Sequence, residues 1–525
     1  MITVMLVFSF VGCDNGNDDT HKNPESFNDI TAAQLVANIK IGWNLGNTLD
    51  ATDNGEGWID KNSTVTFMET CWGNPVTTKA NITAIKNAGF NAIRIPVSWD
   101  KAVDSNYNIR GDWMKRVTEV VNYAVDNDMY ILLNTHHDEH TFKFTNDKIE
   151  ASLAAFKKIW EQIADNFKNH NEKLIFEGLN EPRTKNTPNE WSGGTPEEHN
   201  NLNSYYRTFV ETVRASGGNN DKRILMITTY AASASDTAVN ALTLPTDTVS
   251  GKLIVSIHAY TPYNFALNEE SPVNTWSKTN SSDTKAIQDV IQPAYDKFVS
   301  KGIPVIMGEF GAGNKDNAAA RGAWAEYYVG YAKSKGIACF YWDDGGWFKL
   351  LNRSNDTFYF PEVLAGLMDG ANSTFIDDNP VPVPNPITGN LGNYHFGIAA
   401  DSVSTNYTQA VWELTGTNLT TVKQSGAQLV LALNAAPTAV MQLVWQGPAN
   451  AIWWEQAEIL GNAGNVLDAS KAAWNDGTKT LTINLAAALA DYSTFTAQPS
   501  LNIIIAYYGG GSINDLGIVS ADISN

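Results

Sequence analysis

Two glutamates in this chain follow stretches that read as buried β-strands: Glu181 in KLIFEGLNEP and Glu309 in PVIMGEFGA. A carboxylate at the end of an apolar run is costly to desolvate unless it is paired or holds a proton. Two such groups facing one another divide the work, because proximity drives one to keep a proton while the other stays ionised. That division suits a general acid and a nucleophile. On a sugar acetal, carboxyls ~5–5.5 Å apart let the ionised one attack directly, whereas ~6.5–9.5 Å leaves room for an attacking water.

Other polar side chains gather at the ends of comparable apolar runs. Asn44 and Asn47 follow the first run, Arg94 lies in the second, and His136 and His137 follow the third. Asn180 precedes Glu181, His258 and Tyr260 end the sixth run, and Trp342 lies in the eighth. One polar residue at a strand end is usually structural, but seven of eight runs ending this way describe a site. Arg94 is suited to hold Glu309 ionised, since a guanidinium favours a neighbouring carboxylate's charge. Tyr260 is suited to hydrogen-bond the same carboxylate, Asn180 to bind a sugar 2-hydroxyl, and Trp342 to lie under a sugar ring at the cleavage point. Three histidines can hold zinc. Here they sit on runs spread through the chain with no HEXXH spacing, so neither a metal nor a cofactor is expected.

These residues need a scaffold that brings distant runs to one mouth. Eight short apolar runs recur: 39–47, 91–99, 129–138, 173–182, 223–230, 253–262, 304–312 and 338–346. Nearly continuous apolar character marks strands buried on both faces. Amphipathic stretches such as TTKANITAIKNAGF and NAAARGAWAEYYVGYAKSKG lie between them, and Gly89 and Gly336 are placed to end helices in the left-handed conformation. Eight strand–helix repeats predict an α/β fold, a (β/α)8 TIM barrel over residues 28–370. No GxGxxG or GxxxxGK[ST] follows any run, which excludes the common nucleotide-binding folds.

Past the barrel the character changes. Residues 371–389 form a linker with prolines at 380, 382, 384 and 386, which favours an extended spacer. Residues 390–525 then read as strands broken by Asn, Gly, Pro and Asp turns, predicting a smaller all-β sandwich. It carries Trp412, Trp445, Trp453, Trp454 and Trp474; adjacent strand residues face opposite sides, so one of the Trp453–Trp454 pair is expected to face solvent. A sandwich with exposed Trp resembles a carbohydrate-binding module, the alternative being a purely structural domain.

The net charge of −20 disfavours nucleic acid and anionic membranes as partners but does not deter a neutral polymer. Sixteen Trp, 19 Tyr and 21 Phe supply flat rings either for a core or for stacking on sugars. Trp58, Trp72, Trp191, Trp276 and Trp347 fall in loops after strands, where as a group they would pave an open groove. Three cysteines cannot build a disulfide framework, and Cys71 with Cys339 could be two thiols or one bridge. The apolar run 4–12 ending in Gly12 before Cys13, then a polar tether to residue 27, resembles a bacterial lipoprotein signal with Cys13 as the lipidated residue. It departs from that pattern in having no Lys or Arg before the run, and an ordinary cleaved signal stays open. Either way a secreted or cell-surface location, and a monomer, are expected.

Taken with one another, GWNLGNTLDA (42–51), RIPVSW (94–99), NTHHD (134–138), GLNEP (178–182), HAYTPY (258–263), GEFGA (308–312) and YWDDG (341–345) resemble glycoside hydrolase family five, over residues 28–370. The opening GWNLGN, the Cys71-Trp72-Gly73-Asn74-Pro75 segment and HAYTPYNFAL are most similar to its subfamily four, whose members cut β-1,4-glucans, mixed-linkage glucans and xyloglucan. The resemblance implies Glu181 as acid/base and Glu309 as nucleophile. It places Arg94, His136, His137, Asn180, His258, Tyr260 and Trp342 around the reacting sugar, and Asn47 and Asp50 along the distal part of the cleft. Trp72 is a further substrate-binding candidate. Asp343-Asp344 departs from the Asp-Asn common there, with an effect expected at the cleft edge. The polymer itself is the open point: a mannanase or xylanase of the same clan, or a surface glycan-binding lipoprotein that has lost catalysis, are the competing readings.

Overall fold

In the computed structural model the described residues are 26–372, 375, 389–391, 395–397, 408–447, 455–461, 464–490, 492–507 and 518–525. The signal-like segment with Cys13, nearly all of the proline-rich linker, and Trp453–Trp454 lie outside them. The chain divides between Asn379 and Pro380 into two units.

In the first unit eight parallel strands close into a barrel in sequence order, the last pairing with the first. They are β1 (Gly42–Leu45), β2 (Ala92–Ile95), β3 (Tyr130–Asn134), β4 (Leu174–Glu177), β5 (Leu225–Ser233), β6 (Leu253–His258), β7 (Val305–Phe310) and β8 (Ala338–Asp343). Strand side chains alternate between the interior and the surrounding helices. One inward layer is apolar: Ala92, Leu132, Ile175, Met226, Ile254, Ile306 and Phe340 belong to one buried cluster. Ala32, Leu35, Val36 and Ile39 join that cluster, so the helix Ala32–Asn38 closes this end of the barrel. Gly42 is needed there, because a Cβ at this position would meet the Phe340 ring at 2.1 Å.

Two residues further along the same strands, the inward positions turn polar: Arg94, Asn134, Glu177, Ser256 and Trp342, with Asn44 on β1 paired to Arg94 and Trp342. The alternation that buries the plug therefore also aims the site residues into the opposite mouth. Helices on the outside start and stop where local chemistry dictates. Thr78 and Thr195 cap Lys79–Asn87 and Pro196–Ala215 with reciprocal capping boxes, and Pro196 opens the second of these. Gly89 and Gly336 follow their helices with φ of 114° and 74°, as their placement in the sequence predicts.

The strands are shorter than the apolar runs that predict them. β4 stops at Glu177, so Asn180 and Glu181 stand on the following loop, and β6 stops at His258, two residues before Tyr260. Cys71 and Cys339 are free thiols, Cys339 buried in β8.

The second unit has two antiparallel sheets. One orders His395–Gly397, Thr408–Leu414, Leu501–Tyr507, Met441–Gln446 and Glu455–Leu460; the other orders Ala472–Asn475, Thr480–Asn484, Gln428–Leu433 and Ile518–Ser524. Leu443 and Ile505 of the first share one core with Leu431 and Ile483 of the second, which makes a sandwich. Among the described residues, three short helices, such as Gly416–Thr421, interrupt its all-β character. Trp412 and Trp445 are buried in that core and Trp474 packs against it, so these rings support the sandwich rather than an open surface. No helix among the described residues is long and apolar enough to cross a membrane.

Candidate active site

Arg94 is the hub of the mouth. Wholly buried on β2, it spends all five of its N–H donors on protein acceptors. Nε and Nη2 donate to the two oxygens of Glu177 at 2.6 and 3.1 Å. Nη1 donates to Asn44 Oδ1 at 3.0 Å and to Glu309 Oε1 at 2.7 Å, and Nη2 also reaches Asn180 Oδ1 at 2.7 Å. Such a planar fork, paired on two sides, fixes its neighbours in angle as well as distance. With Oδ1 committed to Arg94, Asn180 presents its amide N–H groups to a ligand.

Glu309 on β7 receives a second bond, from Tyr260 Oη to Oε2 at 2.7 Å. His258 stands between the two glutamates, Nδ1 lying 3.0 Å from Glu181 Oε1 and 3.7 Å from Glu309 Oε2. Gly308 leaves room for it, since a Cβ there would come 2.8 Å from His258 Nε2. One carboxylate oxygen of Glu181 and one of Glu309 lie within 4.8 Å of each other, with a His258 ring nitrogen equally close. Oxygens this close fit the shorter of the two carboxyl separations, at which one carboxylate attacks directly.

The two carboxyls have unequal surroundings. Glu309 is pinned by Arg94 and Tyr260, while Glu181 is the more open. Burial pushes the Glu181 carboxyl up, but the His258 hydrogen bond and charge, with Arg183 and His137, outweigh it and leave it below the ordinary range in the open cleft.

His136 lies parallel to Trp342 with ring centres 5.8 Å apart, and His137 meets His136 edge-on at 4.3 Å. Burial, then the charges of His137 and Arg94, hold His136 far below the usual histidine range. Its Nδ1 lies 3.1 Å from Asn134 Nδ2, a donor, which places the ring proton on Nε2. Trp72 packs 5.5 Å from His137 and donates to Thr52 O. Asn47, at φ 55°, turns the chain after β1. Asp50 is fully buried and accepts the Asn47 and Thr48 N–H groups at 3.0 and 2.7 Å, which builds that turn, and one of its carboxylate oxygens lies within 4.8 Å of ring nitrogens of His136 and His137. The three histidines do not converge, because His258 groups with the glutamates while His136 and His137 group with Asp50. Asp343 is likewise inside, receiving Trp43 Nε1 and the Gly345 and Leu351 N–H groups.

Several members of this constellation went unread in the sequence. Glu177 is the true strand-end acid of β4, two residues beyond buried Ile175, and it receives Asn134 Nδ2 as well as Arg94. An acid inside LIFEG that must find a partner is the signal that pointed to it. Arg183, next to the NEP triplet, lies 3.6 Å from Glu181 Oε2 and pairs with Glu139 and Glu190 at 3.3 and 3.1 Å.

Beneath the histidines sits a second acidic pair. Asp138 Oδ1 accepts the Trp99 and Asp100 N–H groups at 2.7 and 2.8 Å, and Oδ2 is buried with no partner. Burial pushes the Asp138 carboxyl up to about 6 and, with Asp138 beside it, pushes Asp100 well up too. A carboxyl raised by folding contributes stability that is complete below its unfolded value of about 4 and is lost as pH climbs through the folded one. Asp138→Asn keeps the Oδ1 acceptor and removes the titration. Between about pH 4 and pH 6 the wild-type melting temperature is expected to fall relative to that variant. Parallel curves in differential scanning calorimetry would overturn the assignment.

The family model "Cellulase (glycosyl hydrolase family 5)" matches residues 52–346. The chain is 44% identical over 349 residues to Endoglucanase A of Clostridium longisporum, spanning 65% of this chain and 66% of that protein. It is 44% identical over 353 residues to the cellulase/esterase CelE of Acetivibrio thermocellus, 65% of this chain but 41% of CelE. Among solved structures it is similar to a GH5-4 broad specificity endoglucanase from Ruminococcus champanellensis with bound cellotriose, at 49% identity and a TM-score of 0.63, covering 66% of this chain and 100% of that one.

Proposed function

Since the chain belongs to glycosyl hydrolase family 5, we propose that it is a retaining endo-β-1,4-glucanase that cuts internal linkages of plant cell-wall glucans by double displacement. The observation that carries this reading is the pair Glu181–Glu309, with oxygens within 4.8 Å and unequal partners. Arg94 and Tyr260 hold the Glu309 carboxylate in place to attack the anomeric carbon. Glu181 gives its proton to the departing oxygen, then takes one from the water that releases the glycosyl-enzyme. The lowered state of Glu181 in the open cleft suits the second step. A sugar lying over it deepens burial, the largest influence on that carboxyl and the one that favours the protonated form needed for the first. Asn180, Trp342, His136, His137 and Trp72 provide the polar and flat surfaces that receive the sugar.

Glucan is favoured among polymers because the C. longisporum relative is an endoglucanase and the R. champanellensis structure holds cellotriose. Reducing-end release from carboxymethylcellulose, barley glucan, xyloglucan, mannan and xylan is expected to be substantial on the glucans and small on the last two. Release confined to mannan or xylan would transfer the reading to those polymers, and none from any of the five would end it.

Export belongs to the same proposal, supported by the apolar run 4–12 before Cys13, with lipidation at that cysteine and a monomeric chain. Glycan binding by the second unit is its remaining part, and it would use surfaces other than the core residues Trp412 and Trp445.

A further inference from the structure

Two buried polar atoms beside the reacting carboxyls have no hydrogen-bond partner among the described residues: Ser256 Oγ and His258 Nε2. An unmet hydroxyl or ring nitrogen is costly in a protein interior, so native folds keep few of them and each calls for a reason. These two are not scattered. Ser256 and His258 are alternate residues of β6, so their side chains lie on one face of the strand. Both reach the same spot on β7, where a Cβ on Gly308 would meet Ser256 Oγ at 2.6 Å and His258 Nε2 at 2.8 Å. An irregularity in the pairing makes that spot. Ile257 stands opposite Met307 and His258 opposite Glu309, which leaves Gly308 without a partner on β6. Such a bulge re-aims the side chains around it, and here it brings Glu309 level with His258. The bare Cα of Gly308 leaves the hydroxyl and the imidazole room to approach one another.

The other ring nitrogen decides what Nε2 needs. Nδ1 lies 3.0 Å from Glu181 Oε1 and 3.7 Å from Glu309 Oε2, so with carboxylate oxygens before it the ring hydrogen belongs on Nδ1. In the neutral ring Nε2 is then a bare acceptor that needs a donor, and in the cation it is a donor that needs an acceptor. A hydroxyl serves either state, because it both donates and accepts and is free to rotate. We infer that Ser256 is a positioning residue for the proposed hydrolysis: its hydroxyl serves His258 Nε2, directly or across one bound water, and so holds the ring with its Nδ1 hydrogen aimed at the two glutamates. This rests on the reading of Glu181 and Glu309 as the catalytic pair. Ser256 is wholly buried, out of reach of a sugar, and acts through the imidazole alone. Without it the ring hydrogen is free to move to Nε2, which turns a lone pair towards the carboxylates.

The test reads the ring directly. In the full chain labelled with 15N at its eight histidines, the His258 nitrogen signals are the pair that disappears in His258→Gln. With the ring neutral, wild-type Nδ1 is expected at the position of an N–H nitrogen and Nε2 at that of a hydrogen-bonded acceptor. In Ser256→Ala the Nε2 signal is expected to move downfield towards a free acceptor, or the two signals to draw together as the ring mixes tautomers. The same variant is expected to lose about tenfold in kcat on barley glucan with KM nearly unchanged, the scale of one hydrogen bond that counts in the transition state. Ser256→Thr, which keeps the hydroxyl, is expected to restore both readings, and Ser256→Cys, of similar size but a weak donor, is not. Unmoved His258 signals in Ser256→Ala overturn the inference, as do an unchanged kcat and a neutral wild-type ring with its hydrogen on Nε2. Rescue by Ser256→Cys as full as that by Ser256→Thr marks a filled space rather than a hydroxyl, and overturns it too. A wild-type chain inactive on glucan, whose His258 signals still answer to Ser256, overturns the hydrolase reading and leaves the pairing of serine with imidazole standing.

Discussion

Glu309→Gln is expected to lower hydrolysis of a soluble β-glucan by roughly 10⁵-fold or more, the scale seen when the nucleophile of a catalytic unit is removed. The amide keeps the shape of the carboxyl, and its one oxygen can accept from Arg94 while its NH2 donates to Tyr260 Oη, the two groups that lie 2.7 Å from the carboxylate oxygens in the wild type. Arg94 also retains Glu177 as a counter-charge, so the fold should persist. Glu181→Gln should behave differently. Loss of a general acid removes roughly 10²–10⁴-fold on a polymer, and much less where the leaving group departs without a proton. Steady-state rates on barley glucan and β-cellobiosyl fluoride separate the two roles: Glu309→Gln fails on both, Glu181→Gln mainly on the glucan. A Glu309→Gln enzyme within tenfold of wild type would refute the nucleophile assignment, and identical profiles for the two variants would refute the division of labour.

The second large effect is on stability. Arg94→Met removes the one cation bonded, among the described residues, to Glu177, whose side chain is fully buried, and one of the groups holding Glu309. Breaking a buried ion pair from one side costs about 3–5 kcal/mol, because the abandoned charge stays in a medium that cannot solvate it. Arg94→Lys keeps a charge but loses the fork that reaches four residues, so it should fall between wild type and Arg94→Met in stability and remain nearly inactive. Denaturant midpoints followed through barrel tryptophan fluorescence measure this. An Arg94→Met protein as stable as wild type would refute this account of the buried pair.

The barrel was legible because parallel strands wrapped on both faces leave continuous apolar runs, and eight of them alternate with amphipathic helices. The mouth was legible to the extent that its residues end those runs. Glu177 was missed because the strand ends four residues before Glu181, and the more conspicuous acid on the loop masked the one inside. The structural part of Asp50 was hidden for another reason: a carboxylate in a polar loop resembles a ligand contact, and only the backbone shows that two N–H groups of its own turn also bond to it. In the sandwich, Gln428–Leu433 alternates buried and half-buried as a one-sided strand should, but Leu443, Val444 and Trp445 are all buried. Where both faces are covered, alternation vanishes, and nothing local distinguishes a core tryptophan from an exposed one.

All five Arg94 donors end on protein groups, so the hub touches no sugar. The partners that poise Glu309 stand on or just past the strands, while rings such as Trp72 stand on the loops beyond them. Grip and cutting edge thus answer to different parts of the chain. Exchange of the 51–74 loop is expected to change which polymer is held while leaving the Arg94 hub and its carboxylate partners in place, whereas exchange of 183–195 would also remove Arg183, which stands 3.6 Å from Glu181 Oε2.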